Sequence, residues 1–160
     1  ILKISKGRRL LSENERSDLH YKEHEGCAFV CNNAGYFLNM NLRTINKVKD
    51  VALPVSLEIP RPKKHVSIIV RKNEIVSVGT NHFRTHPMAK KYGYRFDEVH
   101  SELDALLRYK GPKDGLKLFN FRFNRFGDMR MSRPCKKCLP WCDALFDDIW
   151  FTTDNGICKL

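Results

Sequence analysis

Two short segments of the chain carry residue types that together can hold a metal ion and activate water. His100-Ser101-Glu102 stands at the start of one predicted helix, and Pro134-Cys135-Lys136-Lys137-Cys138 stands at the start of the next. One imidazole and two thiolates supply three of the four ligands of tetrahedral zinc, and catalytic zinc sites leave the fourth position to water. Cys135 and Cys138 are one helical turn apart, so both thiolates can reach one ion. The sequence therefore predicts a Zn²⁺ site made by His100, Cys135 and Cys138.

Glu102 is expected to lie beside the reactive water and not to bind the metal itself. Zinc lowers the pKa of a bound water from about 16 toward 7, and a neighbouring carboxylate can then take up and pass on a proton. A structural zinc site has no use for such a carboxylate. Glu102 therefore argues against the most remote alternative, a non-catalytic zinc module that only binds nucleic acid.

The elements that must position these residues can be predicted from the pattern of residues 65–160. Two β-branched runs at 66–71 and 74–79, joined by Lys72-Asn73, predict a β-hairpin. Helical spacing predicts helices at 100–110 and 135–146, and Pro140 is expected to shorten the start of the second. Strands are predicted at 116–124, which has one aromatic face, at 148–153 and, after Asp154-Asn155-Gly156, at 157–160.

The pattern H-x-E followed by P-C-x-x-C is typical of zinc nucleobase deaminases. The chain resembles the cytidine deaminase-like superfamily, and more closely its small bacteriophage members. The segments that carry the resemblance are Val78-Gly79-Thr80-Asn81, Thr85-His86-Pro87, Lys91-Tyr92-Gly93, residues 100–106, residues 132–138 and Thr153-Asp154-Asn155-Gly156. The resemblance implies an α/β fold of three layers, with a mixed five-stranded sheet and helices on both faces. Because few residues follow the fourth strand, the last two strands are expected to form an antiparallel hairpin.

The resemblance also implies the activity and the roles of individual residues. His100, Cys135 and Cys138 would be the zinc ligands, and Glu102 the proton shuttle in the hydrolysis of cytosine to uracil and ammonia. Asn81 matches an Asn that contacts the substrate at the end of the second strand; the alternative is a turn residue after Gly79. Ser101, where Ala is common, and Arg133 complete the expected substrate contacts.

The charge of the chain favours a polyanionic substrate. The formal net charge is +11, and residues 84–137 carry 14 basic and 6 acidic residues. One phosphate needs one or two cations, whereas a nucleic-acid strand gains affinity from each released counterion. We therefore favour cytosine in DNA or RNA as the substrate. A free deoxycytidine nucleotide or nucleoside is the close alternative, although Asp104 replaces the Asn of many free-nucleotide deaminases; adenine is less favoured.

Several arginines and aromatic residues are candidates for contacts with a nucleic acid, and each also has a purely structural interpretation. The arginines that lead into the second helix are candidate phosphate contacts or simply solvated surface; they are Arg122, Arg125, Arg130 and Arg133. Three aromatic residues are candidates for base stacking, although each is more often a core residue; they are Phe83, Phe126 and Trp141. The aromatic face of the third strand, which consists of Phe119, Phe121 and Phe123, is expected to be buried.

Residues 1–64 are predicted to be an N-terminal extension and linker ahead of a deaminase domain at 65–160. A helix is expected at 43–51, and three prolines indicate a linker at 54–64. A minor structural zinc site is conceivable where two histidines and two cysteines recur at spacings of four, three and four residues, but Gly26 argues against one unbroken helix. These residues are His20, His24, Cys27 and Cys31.

The cysteines and the hydropathy of the chain bear on its surroundings. Six cysteines in 160 residues are fewer than disulfide-rich secreted domains usually have, so we interpret them as ligands or packing thiols. A reducing, cytoplasmic compartment is therefore expected, such as that of a bacterium that hosts a phage. No run of about 18 apolar residues is present, and no membrane partner is expected.

Overall fold

A computed structural model describes residues 42–84, 86–94 and 98–160 of the chain. The described elements are α1 (Leu42–Leu57), β1 (Lys64–Arg71), β2 (Glu74–Thr80), a 3₁₀ turn (Ala89–Tyr92), α2 (Ser101–Arg108), β3 (Leu116–Phe123), α3 (Leu139–Leu145), β4 (Asp148–Thr153) and β5 (Gly156–Lys159). The residues of the suggested second zinc site, His20, His24, Cys27 and Cys31, lie outside the described residues. No helix within the described ranges is long and apolar enough to cross a membrane.

The five strands form one mixed sheet in the order β2-β1-β3-β4-β5. Strands β3 and β4 pair in parallel, and the other neighbours pair antiparallel. The connection between the two parallel strands contains Cys135, Cys138 and α3. The expected mixed sheet and the final antiparallel hairpin are confirmed.

The β1–β2 hairpin turns through Lys72 and Asn73, as predicted. Both residues have positive φ angles, 51° and 65°. Two such residues are the requirement of a type I′ turn, whose twist matches that of the flanking strands. The middle of β1 is buried on both faces, which explains its unbroken run of β-branched residues.

The two faces of the sheet are covered by different helices. Helix α1 packs on one face against alternate residues of β1 and β3, including Val66, Ile68 and the predicted aromatic face of β3. Helix α2 lies on the other face, where its Leu103 and Leu106 form a second core with residues of α3. The result is the predicted three-layer arrangement, in which the second face carries the candidate site.

Helix α1 is longer than the sequence predicted. It runs through Pro54 to Leu57, so the expectation that a linker begins at residue 54 is wrong. A proline in the last turn removes one helical hydrogen bond, but Ala52 and Ser56 on either side are fully buried against the sheet and hold that turn in place. The division of the chain between residues 64 and 65 stays a prediction.

The second predicted helix begins later than expected. Cys135 and Cys138 lie in a turn that precedes α3, and Cys138 is the residue that caps it. The amide of Leu139 donates to the carbonyl of Cys135 over 2.9 Å, so the chain already has helical spacing at the cysteines. Pro140 stands in the first turn of α3, which confirms that it shortens the start of the helix.

Candidate metal and catalytic site

The three predicted ligands meet at one point on the α2 face of the sheet. His100 Nδ1 lies 3.3 Å from Cys138 Sγ and 3.5 Å from Cys135 Sγ, and the two sulfurs are 3.5 Å apart. A tetrahedron with zinc–ligand bonds of about 2.0–2.3 Å has edges of about 3.3–3.8 Å. The donor set and its spacing therefore fit a zinc ion, with room for a fourth ligand that these residues do not supply.

Neighbouring side chains hold two of these ligands in orientation. His100 Nε2 is 2.7 Å from Glu98 Oε1, which leaves Nδ1 to face the sulfurs. A carboxylate on the remote nitrogen is the usual partner of a metal-bound histidine, because it fixes the tautomer and the ring plane. The hydroxyl of buried Tyr94 lies 2.8 Å from Cys138 Sγ, and its ring packs edge-on against His100.

The electrostatics of the three ligands favour a bound cation. The hydrogen bond with Cys138 is the main cause that lowers the pKa of Cys135 to about 3, whereas the same contact and burial raise the pKa of Cys138. Burial works to lower the pKa of His100, but its bonds to Cys135 and Glu98 outweigh burial and raise that pKa to about 9. Two thiolates and a neutral imidazole can coexist at this spacing only around a cation, so metal binding must release protons.

Glu102 lies in the first turn of α2, two residues after His100, and is 6% exposed. Its Oε1 accepts a hydrogen bond of 3.2 Å from Asn120 Nδ2, and Ser101 Oγ is 3.4 Å from Oε2. Burial is the main cause that raises the pKa of Glu102. A carboxylate whose pKa moves toward neutrality suits proton transfer at physiological pH.

A cavity of about 440 Å³ opens beside the ligands and Glu102. The predicted substrate contacts Asn81, Ser101 and Arg133 all line it. Asn81 already uses its amide for the fold, because Oδ1 accepts from the His65 amide over 2.9 Å and Nδ2 donates to the Lys63 carbonyl over 3.0 Å. The structure thus places Asn81 on the cavity wall, where it clamps the start of β1 to the end of β2.

Asp104 has a role in packing that the sequence did not reveal. Its carboxylate accepts from the Thr80 amide over 2.9 Å and from Arg108 Nε over 2.9 Å, and it lies 3.3 Å from His82 Nε2. It does not line the cavity. The structure thus gives Asp104 a place in the contact between α2 and β2, and its bearing on the substrate stays a prediction.

The exposed aromatic residues differ from what the sequence favoured. Phe83 and Phe126 are surface residues, 70% and 74% exposed, so the view that core positions are commoner was wrong for both. Phe83 lines the cavity mouth, with the Arg61 guanidinium 3.4 Å from its ring centroid. Trp141 packs edge-on against Tyr92, and both are partly buried against the core that contains the thiol Cys142.

Three cations line the cavity, and we call Arg61, Lys63 and Arg133 the cationic rim. Arg122 stands opposite His65 in the β1–β3 register and acts electrostatically on it, close to this rim. Arg130, by contrast, lies within 4 Å of Asp128 and Asp154. Within the described residues none of the three rim cations forms an ion pair, so their charge is available to a substrate.

Several residues around the site were missed from the sequence. Arg61 and Lys63 fell in the assumed linker, and nothing in their local pattern distinguishes them. Asn120 offered a signal, because a polar side chain in the middle of a strand with a buried aromatic face must find a partner. The remaining missed residues contact the site residues or line the cavity, namely Glu98, Tyr94, Ser67 and His65.

Comparisons with known proteins agree with this architecture. Neither a family model nor a curated protein sequence matches the chain. The dCMP deaminase of the cyanophage S-TIM5 in apo form is similar over 71% of this chain and 86% of its own, with 18% identity and a TM-score of 0.52. Cytidine deaminase from Mycobacterium leprae is similar over 72% and 92%, with 16% identity and a TM-score of 0.48. The likeness to the S-TIM5 protein shows that the chain shares its fold.

Proposed function

We propose that the chain is a zinc-dependent hydrolytic deaminase that converts cytosine to uracil, with cytosine in a polynucleotide as its substrate. The observation that carries the deaminase assignment is the convergence of His100, Cys135 and Cys138 beside a buried Glu102 at one cavity. Burying a carboxylate reduces the free energy of unfolding unless the group is paired and hydrogen-bonded. A non-catalytic zinc module would gain nothing from a carboxylate buried at that place.

The residues of the site divide the chemistry between them. A zinc ion held by the three ligands supplies activation of water for attack on carbon. Glu102 takes a proton from the attacking water and delivers it to N3 of the ring as the C4–O bond forms. Glu102 then takes the second proton from the hydroxyl now on C4 and transfers it to the exocyclic amine, so that the C4=O bond forms, the C4–N bond breaks and ammonia leaves. One water is consumed, and the ring becomes uracil.

The cationic rim supports the polynucleotide. Three cations without an ion pair within the described residues exceed what one phosphate needs, and the exposed Phe83, which Arg61 covers on one face, has a second ring face for a neighbouring base. Stacking of a base on an aromatic side chain contributes about 1–3 kcal/mol, independently of sequence. A single nucleotide has no second base to make that contact.

Free cytosine nucleotide is the second candidate, and the size of the cavity favours it. A cavity of about 440 Å³ is in the range that holds a small ligand. In that case Arg133 and one neighbouring cation would bind the single phosphate.

A competition between substrates tests the proposal. Zinc-loaded protein is incubated with deoxycytidine, its monophosphate, a single-stranded oligonucleotide and a duplex, and uracil and ammonia are both measured. We expect kcat/KM for the single strand to exceed that for the monophosphate by at least tenfold, and Phe83→Ala to reduce only the former. Conversion of the small molecules alone would leave the deaminase and refute the polynucleotide. Absence of ammonia from every substrate would refute both.

A further inference from the structure

Glu102 is connected to the sheet by a chain of buried polar groups that starts on β3. Asn120 is 3% exposed in the middle of that strand. Its Nδ2 donates to Glu102 Oε1 over 3.2 Å, and its Oδ1 accepts from Ser67 Oγ on β1 over 2.8 Å. Ser67 Oγ also lies 2.8 Å from Ser101 Oγ. Every member of the chain is buried.

The donors and acceptors of this network allow one consistent arrangement. A hydroxyl has one hydrogen to donate, and an amide oxygen can only accept. If Ser67 donates to Asn120 Oδ1, then the short Ser67–Ser101 contact requires Ser101 to donate to Ser67. Ser101 then has no second hydrogen for Glu102, and its Oγ lies at the longer distance of 3.4 Å from Oε2. Oε1 is therefore the oxygen that the amide of Asn120 holds, whereas the contact of Oε2 with the network is the longer one.

From this geometry we propose that Asn120 is a positioning residue that anchors Glu102 Oε1 and reserves Oε2 for the proton transfers of deamination. The inference rests on the deaminase chemistry proposed above, and it adds which oxygen acts and which residue fixes it. Asn120 contacts Glu102 from a rigid central strand, whereas Glu102 itself is in the first turn of a short helix. A displacement of about 1 Å in a reacting group can reduce a rate by about 100-fold.

Steady-state kinetics of four variants test this role. Asn120→Ala removes the side chain, and Asn120→Asp keeps its shape while replacing the donor with oxygen. Ser67→Ala removes the hydroxyl behind Asn120. Ser77→Ala is the matched control, because Ser77 Oγ is also buried on the sheet and donates to α2 at the Ala105 carbonyl, away from Glu102. Zinc content and melting temperature are measured for each.

Both Asn120 variants are expected to lose at least 30-fold in kcat, with KM within threefold of the original protein and zinc content unchanged. Ser67→Ala should lose about three- to tenfold, and Ser77→Ala less than twofold. Losses in kcat no greater than that of Ser77→Ala, or a rise in KM with kcat unchanged, would overturn the proposal. The second Asn120 variant keeps the test valid if the alanine variant does not fold.

A measurement without turnover separates this proposal from the proposed function. The side-chain amide resonance of Asn120, identified by its loss in Asn120→Asp, should move in Glu102→Ala, because its acceptor is gone. An unmoved resonance contradicts the contact even if the protein deaminates every substrate. A moved resonance supports the contact even if no cytosine substrate is converted, an outcome that would refute the deaminase alone.

Discussion

At the residue scale, the proposed function depends most on one carboxylate, Glu102. Glu102 is buried, lies beside the three ligands and has a raised pKa. Its nearest donors come from Asn120 and Ser101, not from a cation that would hold it permanently ionised. A buried carboxyl whose pKa is raised holds a proton more readily than an exposed one, and the proposed reaction requires this group to take up and release protons.

Replacing this carboxylate should stop turnover without loss of the metal. General acid–base groups typically contribute 10²–10⁴-fold to a rate, and Glu102→Gln keeps the size of the side chain while removing its capacity to take a proton. We expect kcat to fall by at least about 10³-fold, with about one zinc per chain retained by elemental analysis. Activity near that of the original protein would contradict the assigned mechanism.

His65 makes the folded protein sensitive to acid. Burial is the main cause that lowers its pKa from 6.5 to about 4, and nearby positive groups add to it; they are Arg122, His100, Lys63 and Arg61. As the pH falls, His65 therefore takes up a proton in the unfolded chain at a higher pH than it does in the folded protein. The free energy of unfolding should decrease between pH 6.5 and about 4, by on the order of 3 kcal/mol.

Urea unfolding at pH 7.5 and at about pH 4.5 checks this in metal-free protein. His65→Gln should lose much less stability between the two conditions than the original protein does. His86→Gln is the control, since His86 is exposed, and it should behave like the original protein. Equal acid sensitivity of the His65 variant and the original protein would show that the imidazole is not responsible.

At the scale of elements, the close contact between β2 and α2 sets the position of the first turn of α2, which carries Glu102. Gly79 faces the backbone of α2, and a Cβ there would overlap the Ala105 amide nitrogen and the Ser101 carbonyl. Asp104 joins the same two elements through the Thr80 amide. The helix that carries Glu102 is therefore seated directly on the backbone of an edge strand.

Adding one methyl group at this contact should destabilise the fold. Gly79→Ala is expected to reduce the free energy of unfolding by about 2–3 kcal/mol, because neither backbone can move aside without repacking. Val76→Ala on the same strand is the control: its side chain is 37% exposed, and we expect a change of less than about 1 kcal/mol. Similar losses in the two variants, measured by chemical denaturation, would refute the importance of this contact.

The elements that could be predicted are those whose pattern is local. The hairpin at Lys72-Asn73, the aromatic face of β3 and the joint His and Cys motif each carry their signal within a few residues. Helix α1 could not be bounded, because its end depends on burial of Ser56 and Ile59 against the sheet and not on Pro54. Asn120 was visible as a polar residue, but its partner Glu102 is brought to it only by the packing of α2.

At the scale of the whole molecule, the proposed metal site draws its ligands from two distant parts of the chain. The proposed ligands come from the start of α2 and from the turn before α3, and Cys135 and Cys138 form no disulfide within the part of the chain that the structure describes. A ligand that binds only the folded state adds about 2.7 kcal/mol at 100 times its Kd. Zinc is thus expected to stabilise the assembly of the second core as well as the reaction.

Chelation should lower the melting temperature by about 5–10 °C. Cys138→Ala should contain little zinc and should not respond to the chelator. Cys142→Ala removes another fully buried thiol one turn later, so it should be less stable but should keep its zinc and its response. Loss of zinc from both variants alike would mean that the metal is held elsewhere.

The charge of the molecule leads to a prediction about salt. If the cationic rim binds a single strand, the logarithm of the binding constant should fall linearly with the logarithm of salt concentration. For three phosphate contacts the slope should be about −2 or steeper. Arg61→Gln should reduce that slope by about 0.7. Lys49 is an exposed cation on α1, on the other face of the sheet, so Lys49→Gln should leave the slope unchanged. Equal slopes for the two variants would contradict binding of the strand by the cationic rim.

The clamp made by Asn81 has a wider consequence. It fastens the stretch that carries Arg61 and Lys63 to the end of a strand, while the imidazole, the sulfurs and the carboxylate are supplied by other stretches entirely. The proposed choice of target therefore draws in part on a stretch separate from the proposed catalytic residues, although Arg133 lies two residues before Cys135. Exchange of the short stretch between α1 and β1 would alter the contacts offered to a target and would leave His100, Glu102, Cys135 and Cys138 in place.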